Sequence, residues 1–137
     1  MQALFTIFFC LSNSFTSPAV EKVSYYSEDS LKITADLYLN RYDLPFILLF
    51  HNSEGSRGEY NEIANRLVKL GYNCLAVDLR VGNKSNFISN ETAERAKKLN
   101  IQKNFFDCLK DIEASIRYVE KFNDNPITLF GSSFSAS

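Results

Sequence analysis

The chain of 137 residues has almost no charge imbalance: 15 Lys and Arg stand against 16 Asp and Glu, scattered along the sequence rather than massed in one stretch. Such a balance offers no electrostatic footprint for nucleic acid or for a membrane surface, and neither partner is expected. Cysteine is scarce. Cys10, Cys74 and Cys108 are odd in number and lack a CxxC spacing, which argues against a disulfide framework or a zinc site. No metal or other cofactor is expected. No segment approaches the ~20 consecutive apolar residues that a membrane-spanning helix needs. Internal repeats and low-complexity linkers are also missing, so residues 18–137 read as one unit around one core. Histidine occurs once, at position 51.

With 45% apolar and 23% charged residues, the composition is that of ordinary globular material. Residues 1–17 stand apart. The run Met1 to Leu11 is apolar and is followed by small polar residues that offer a cleavage site after Ser14, but no positively charged segment precedes it. A processed signal peptide and a loose N-terminal segment both stay open. The first implies export, the second a cytoplasmic protein.

Val20 to Tyr26 is strand-like, and Leu31 to Leu39 alternates strictly: Leu31, Ile33, Ala35, Leu37 and Leu39 face one way, Lys32, Thr34, Asp36 and Tyr38 the other. This pattern predicts a half-buried antiparallel hairpin. Phe46 to Phe50 is apolar on both faces, as a strand must be when helices cover both sides of a sheet. Ser56-Arg57-Gly58-Glu59 has the spacing of a capping box, Tyr60, Ile63, Ala64, Leu67 and Val68 recur at the helical period, and Gly71 stands where a helix ends. Tyr72 to Asp78 is the next buried strand, followed by a polar connection to Asn90 and a short helix over 91–99. Leu109, Ile112, Ile116 and Val119 predict a longer helix, and Ile127 to Phe130 a last buried strand. Strands alternating with helices give an α/β fold: a mostly parallel central sheet flanked by helices, with an antiparallel N-terminal hairpin.

That last strand runs straight into Gly131-Ser132-Ser133-Phe134-Ser135. A serine hydroxyl is a weak nucleophile unless a sharp strand-to-helix turn presents it clear of its own backbone to a base, and such a turn needs small residues two before and two after it. Gly131 and Ser135 meet that need around Ser133, although Ser135 replaces the second glycine of the usual G-x-S-x-G. A phosphate-binding loop competes for the same strand-Gly-Ser-Ser pattern, because helix N-terminal amides attract anions. The Walker spacing and its lysine are absent.

Phe50-His51, Ser56 to Tyr60, Leu70-Gly71-Tyr72, Val77 to Arg80 and Phe130 to Ser137 together resemble the dienelactone hydrolase and prolyl-oligopeptidase-like branch of the α/β-hydrolase superfamily. The likeness covers most of the chain from about Tyr25 onward. It implies a Ser or Cys nucleophile followed in sequence by Asp and then His. By that resemblance Ser133 is the nucleophile, and the developing oxyanion is met by the backbone amides of Phe134 and of Asn52 or Ser53, with Ser53 preferred. The acid and the base are expected beyond Ser137, so the chain reads as the N-terminal portion of a hydrolase domain that stops after the nucleophile elbow and depends on a continuation. His51 precedes the nucleophile and is expected to orient the loop rather than to act as the base.

Three acidic residues are read as structural. Asp78 is expected to pair with Arg80 or cap a loop, and Asp107 and Asp111 to lie on a solvated helix start. Asn83-Lys84-Ser85 and Asn90-Glu91-Thr92 match glycosylation acceptors, which matters only in a eukaryotic secretory setting. Two functional classes remain: a serine hydrolase acting on a small ester, lactone or acyl substrate, or a non-catalytic scaffold of the same fold.

Overall fold

The computed structural model describes residues 19–101 and 104–136. The leader 1–17, with Cys10, and Ser137 lie outside the described residues. Strands β1 (Val20–Tyr26) and β2 (Lys32–Tyr38) form the expected antiparallel hairpin, with Val23 opposite Ala35. They are followed by β3 (Phe46–Phe50), α1 (Asn61–Lys69) and β4 (Asn73–Val77). A two-residue ribbon, β5 (Lys84–Ser85) and β6 (Ile88–Ser89), interrupts the polar connection before α2 (Glu91–Lys98), α3 (Cys108–Val119) and β7 (Thr128–Gly131). The ribbon turns through Asn86 and Phe87, both at positive φ, which is the backbone that a two-residue turn of matching twist demands.

Among the described residues, five strands make one mixed sheet in the order β1-β2-β4-β3-β7. The pairs β4-β3 and β3-β7 are parallel, whereas β1-β2 and β2-β4 are antiparallel. Because successive side chains leave a strand on opposite faces, β3 feeds two cores. Phe46, Leu48 and Phe50 join Leu31, Ile33, Leu75 and Val77 beneath α2 and α3. Ile47 and Leu49 join Cys74 and Ala76 beneath Tyr60, Ala64 and Val68 of the α1 side. Gly71, at φ +96°, ends α1 as its position in the sequence suggests.

Three expectations of burial are corrected. The second face of β2 is covered, since Thr34 and Tyr38 are buried: Thr34 lies under α2, where its N–H reaches Thr92 Oγ1 at 2.9 Å, and Tyr38 joins the α1-side core. In α3, Ile112, Ile116 and Val119 pack against the core beneath α2 and α3 as expected, but Leu109 is exposed, and Cys108, Asp111, Ala114 and Ser115 share the buried face. Polar side chains can take the inner face because each is satisfied there: Asp111 meets Arg80, and Ser115 Oγ lies 2.7 Å from the Tyr25 hydroxyl. Among the described residues β7 is the outermost strand on its side of the sheet, and Leu129 and Phe130, expected to be buried, are about half exposed. None of the described helices is long and apolar enough to cross a membrane.

Candidate active site

β7 delivers Gly131 beside the end of β3, and the chain then reverses in a short 3-10 turn, Ser133–Ala136. Ser133 sits at φ +56° and is exposed. A non-glycine residue at that backbone costs about 1–2 kcal/mol, so the surroundings must impose it. They do so through one carbonyl. Phe50 O accepts from Tyr60 Oη at 2.8 Å and from Ser132 N at 3.2 Å, and Ser135 Oγ lies 2.8 Å away. Ser135 Oγ also accepts from Ser132 N at 3.0 Å, so the hydroxyl that stands in place of the usual glycine braces the turn. A Cβ on Gly131 would lie 2.5 Å from Ser135 O and 2.7 Å from its Oγ, which is why position 131 has no side chain. Among the described residues, Ser133 Oγ has no hydrogen-bond partner.

The loop after β3 is fixed by His51 and Glu59. His51 is fully buried; its Nε2 accepts the N–H of Leu79 at 3.0 Å, so the proton resides on Nδ1, 2.6 Å from Asn52 O. Burial drives its pKa below the ordinary value, keeping the ring neutral. The imidazole thus clamps the β3 loop to the end of β4, in keeping with a loop-orienting role. Asn52 N and Nδ2 both donate to Glu59 Oε2 at 3.0 Å, while the other oxygen of Glu59 accepts from Ser132 Oγ at 2.6 Å. Asn52 N is therefore committed, and Ser53 N has no partner among the described residues.

The capping-box reading is corrected by half. Ser56 does cap, accepting from Gly58 N at 3.2 Å. Glu59 does not return to Ser56 but bridges the β3 loop and the elbow, and Ser56 N donates instead to Ser85 Oγ at 3.1 Å. This role of Glu59 escaped the sequence, where S-x-x-E before an apolar helix points to a local partner.

Behind the loop lies a buried ionic layer. Asp78 pairs with Arg57, not Arg80: Arg57 Nη1 lies 2.7 Å from Asp78 Oδ2, and the N–H groups of Arg57 and Glu91 donate to the same carboxylate. Burial pushes the Asp78 carboxyl above the usual carboxylate range, opposed by the amides and guanidinium around it. Arg57 also reaches Asp36 at 3.0 Å and Glu91 at 3.1 Å. Arg80 pairs with Asp111 and Asp29, each at 2.7 Å. Asp111 is buried rather than solvated, and Asp107 is half-buried, its Oδ1 beside Lys110 and its Oδ2 buried with no hydrogen-bond partner among the described residues. Asn90 is buried as well, its Nδ2 directed at Val81 O (2.8 Å) and Leu79 O (3.0 Å), a position incompatible with a glycan.

An open apolar hollow of about 420 Å³ lies between α3 and the elbow, lined by Leu79, Phe106, Cys108, Leu109 and Ile112, with Ser135 on its rim. Among the described residues, no group of three or more His, Cys, Asp or Glu could hold a metal ion. The site thus combines an exposed serine on a strained turn, an uncommitted backbone amide in the β3 loop, and apolar surface beside Ser135.

A family model described as Dienelactone hydrolase family matches residues 34–132. Solved structures of similar fold include an esterase of Pyrococcus furiosus, 19% identical with a TM-score of 0.63, where the match covers 86% of this chain and 44% of that one. A dienelactone hydrolase of Anabaena variabilis is 17% identical with a TM-score of 0.63, covering 86% of this chain and 53% of that one. A carboxyl esterase of Bacillus coagulans is 18% identical with a TM-score of 0.62, covering 82% and 36%. At such identities the likeness is one of fold. The chain spans about half the length of these structures or less. None of the curated proteins matches it.

Proposed function

Because the chain belongs to the dienelactone hydrolase family, we propose that the whole protein is a serine hydrolase of small ester, lactone or acyl substrates, with Ser133 as nucleophile and residues 18–137 as the N-terminal portion of the hydrolase domain. The observation that carries the reading is the left-handed backbone of Ser133, φ +56°, directly after a β-strand and braced through Phe50 O. A strained, exposed serine at a strand end is what an elbow nucleophile requires.

In this reading Ser133 Oγ attacks the substrate carbonyl carbon while its proton passes to a base. The oxyanion that forms is met by the backbone N–H groups of Phe134 and Ser53. The intermediate collapses, the bond to the leaving oxygen breaks, and the base returns the proton to that oxygen. Water then attacks the acyl-enzyme in the same manner and frees Ser133. His51, the one histidine of these residues, has both ring nitrogens occupied in the β3 loop and is not available as that base. The base and the acid that orients it are assigned to chain outside these 137 residues. The apolar hollow beside Ser135 favours an uncharged acyl substrate over a charged one.

The test is labelling of the full-length protein with a fluorophosphonate probe, alongside Ser133→Ala and Ser132→Ala. Label that persists in Ser132→Ala and disappears in Ser133→Ala supports the assignment. Absence of label on a folded wild type hands the fold to the non-catalytic scaffold reading.

A further inference from the structure

Glu59 belongs to no catalytic group named above, yet its carboxylate touches both segments that would stabilise an oxyanion. Oε2 receives Asn52 N and Nδ2 at 3.0 Å each, and Oε1 receives Ser132 Oγ at 2.6 Å from a residue 73 positions away. Asn52 immediately precedes Ser53, and Ser132 immediately precedes the nucleophile. We propose that Glu59 is a positioning residue that fixes the distance between the two oxyanion donors, the amides of Ser53 and Phe134; the proposal rests on Ser133 being the nucleophile.

The geometry around Glu59 is built for the bridge. Its backbone is held in the 3-10 turn by Glu59 N donating to Ser56 O at 3.0 Å, and the adjoining Tyr60 is buried with its hydroxyl on Phe50 O. Gly55 makes room for the carboxylate, since a Cβ there would lie 2.9 Å from Glu59 Oε2. An ionised carboxylate only accepts, so it takes all three donors at once and forces the Ser132 hydroxyl to donate toward it. By occupying Asn52 N, it also leaves Ser53 N as the amide free to meet substrate. The two donors sit on separate loops, and a displacement on the order of 1 Å between groups that act together costs about 100-fold in rate.

The experiment is steady-state hydrolysis of p-nitrophenyl butyrate by the full-length protein, with thermal unfolding recorded for every variant. Glu59→Ala is expected to lower kcat by about 10–100-fold with KM within about twofold. Glu59→Gln, whose amide oxygen can accept from Asn52 and whose amide nitrogen can donate to Ser132 Oγ, is expected to recover most of that loss. Ser132→Ala should lower kcat in the wild-type background and cost nothing further beside Glu59→Ala, because both changes cut the same bridge. Should Glu59→Ala fail to fold, Glu59→Gln and Ser132→Ala carry the comparison. Unchanged kcat in folded Glu59→Ala, or losses that simply multiply in the double variant, overturn the proposal. Turnover by Ser133→Ala equal to wild type removes the nucleophile reading and this one with it, whereas an inactive Ser133→Ala beside a fully active Glu59→Ala removes this one alone.

Discussion

Arg57 and Asp78 meet at 2.7 Å with their side chains 7% and 0% exposed, and the Asp78 carboxylate also receives two backbone N–H groups, one of them from Arg57 itself. The pair joins the turn before α1 to the end of β4 and so sets the floor on which the β3 loop rests. Removing the cation strands a buried carboxylate. Arg57→Met is therefore expected to cost about 3–5 kcal/mol, measured by urea unfolding. A loss under about 1 kcal/mol would mean that the two backbone N–H groups satisfy the Asp78 carboxylate without the guanidinium.

His51 gives the protein a defined pH response. Its folded pKa lies below the ordinary value near 6.5 because burial disfavours the imidazolium. As pH falls through about 6.5, the unfolded chain takes up a proton that the folded protein refuses, so stability conferred above that pH is progressively lost. Urea unfolding between pH 8 and 5 should show wild type losing stability relative to His51→Gln as the solution is acidified. Parallel curves would mean that His51 is protonated in the folded state.

Gly131→Ala forces a Cβ to within 2.5 Å of the Ser135 carbonyl oxygen. Backbone cannot yield there without moving the elbow. The variant is expected to lose about 1–3 kcal/mol through overpacking and to react with a fluorophosphonate at least about tenfold more slowly. Wild-type labelling by a folded Gly131→Ala protein would show that the elbow tolerates a wider turn.

Asn90 separates donor chemistry from packing. Ala at this position leaves buried carbonyls of Leu79 and Val81 without their donor, at about 1–3 kcal/mol. Asp directs an acceptor at those same carbonyls and is expected to destabilise more than Ala does, read from the denaturation midpoints. Equal midpoints would remove the amide's role in joining the β4 end to α2.

The layered core was legible because it rests on period. Alternation in β2, the two-faced apolar run of β3, the helical spacing through Val68 and the stop at Gly71 each describe how one element sits against its surroundings, and the element carries that information itself. The tight turn at Ser133 was legible for the same reason, as a local demand for small residues at positions 131 and 135. Long-range polar partners were not. Nothing near Glu59 announces Ser132, and Asp78 has Arg80 two residues away yet bonds to Arg57. In α3, Asp111 reads as an outward-facing residue because its inward partner, Arg80, comes from another segment. That Glu59 occupies the Asn52 amide was likewise hidden, because the sequence assigned Glu59 to a cap.

The gathering of Tyr60, Ser132 and Ser135 on the single carbonyl of Phe50 has a consequence for the order of folding. Tyr60 lies ten residues from Phe50 and closes its contact early, whereas Ser135 Oγ comes from 85 residues away and must wait for β7 to dock. Contacts of such separation carry the larger loop-closure entropy and form late. The left-handed turn at Ser133 then takes shape only after β7 has docked on β3. During synthesis from the N-terminus, the hydroxyl stays conformationally idle until the surrounding architecture stands.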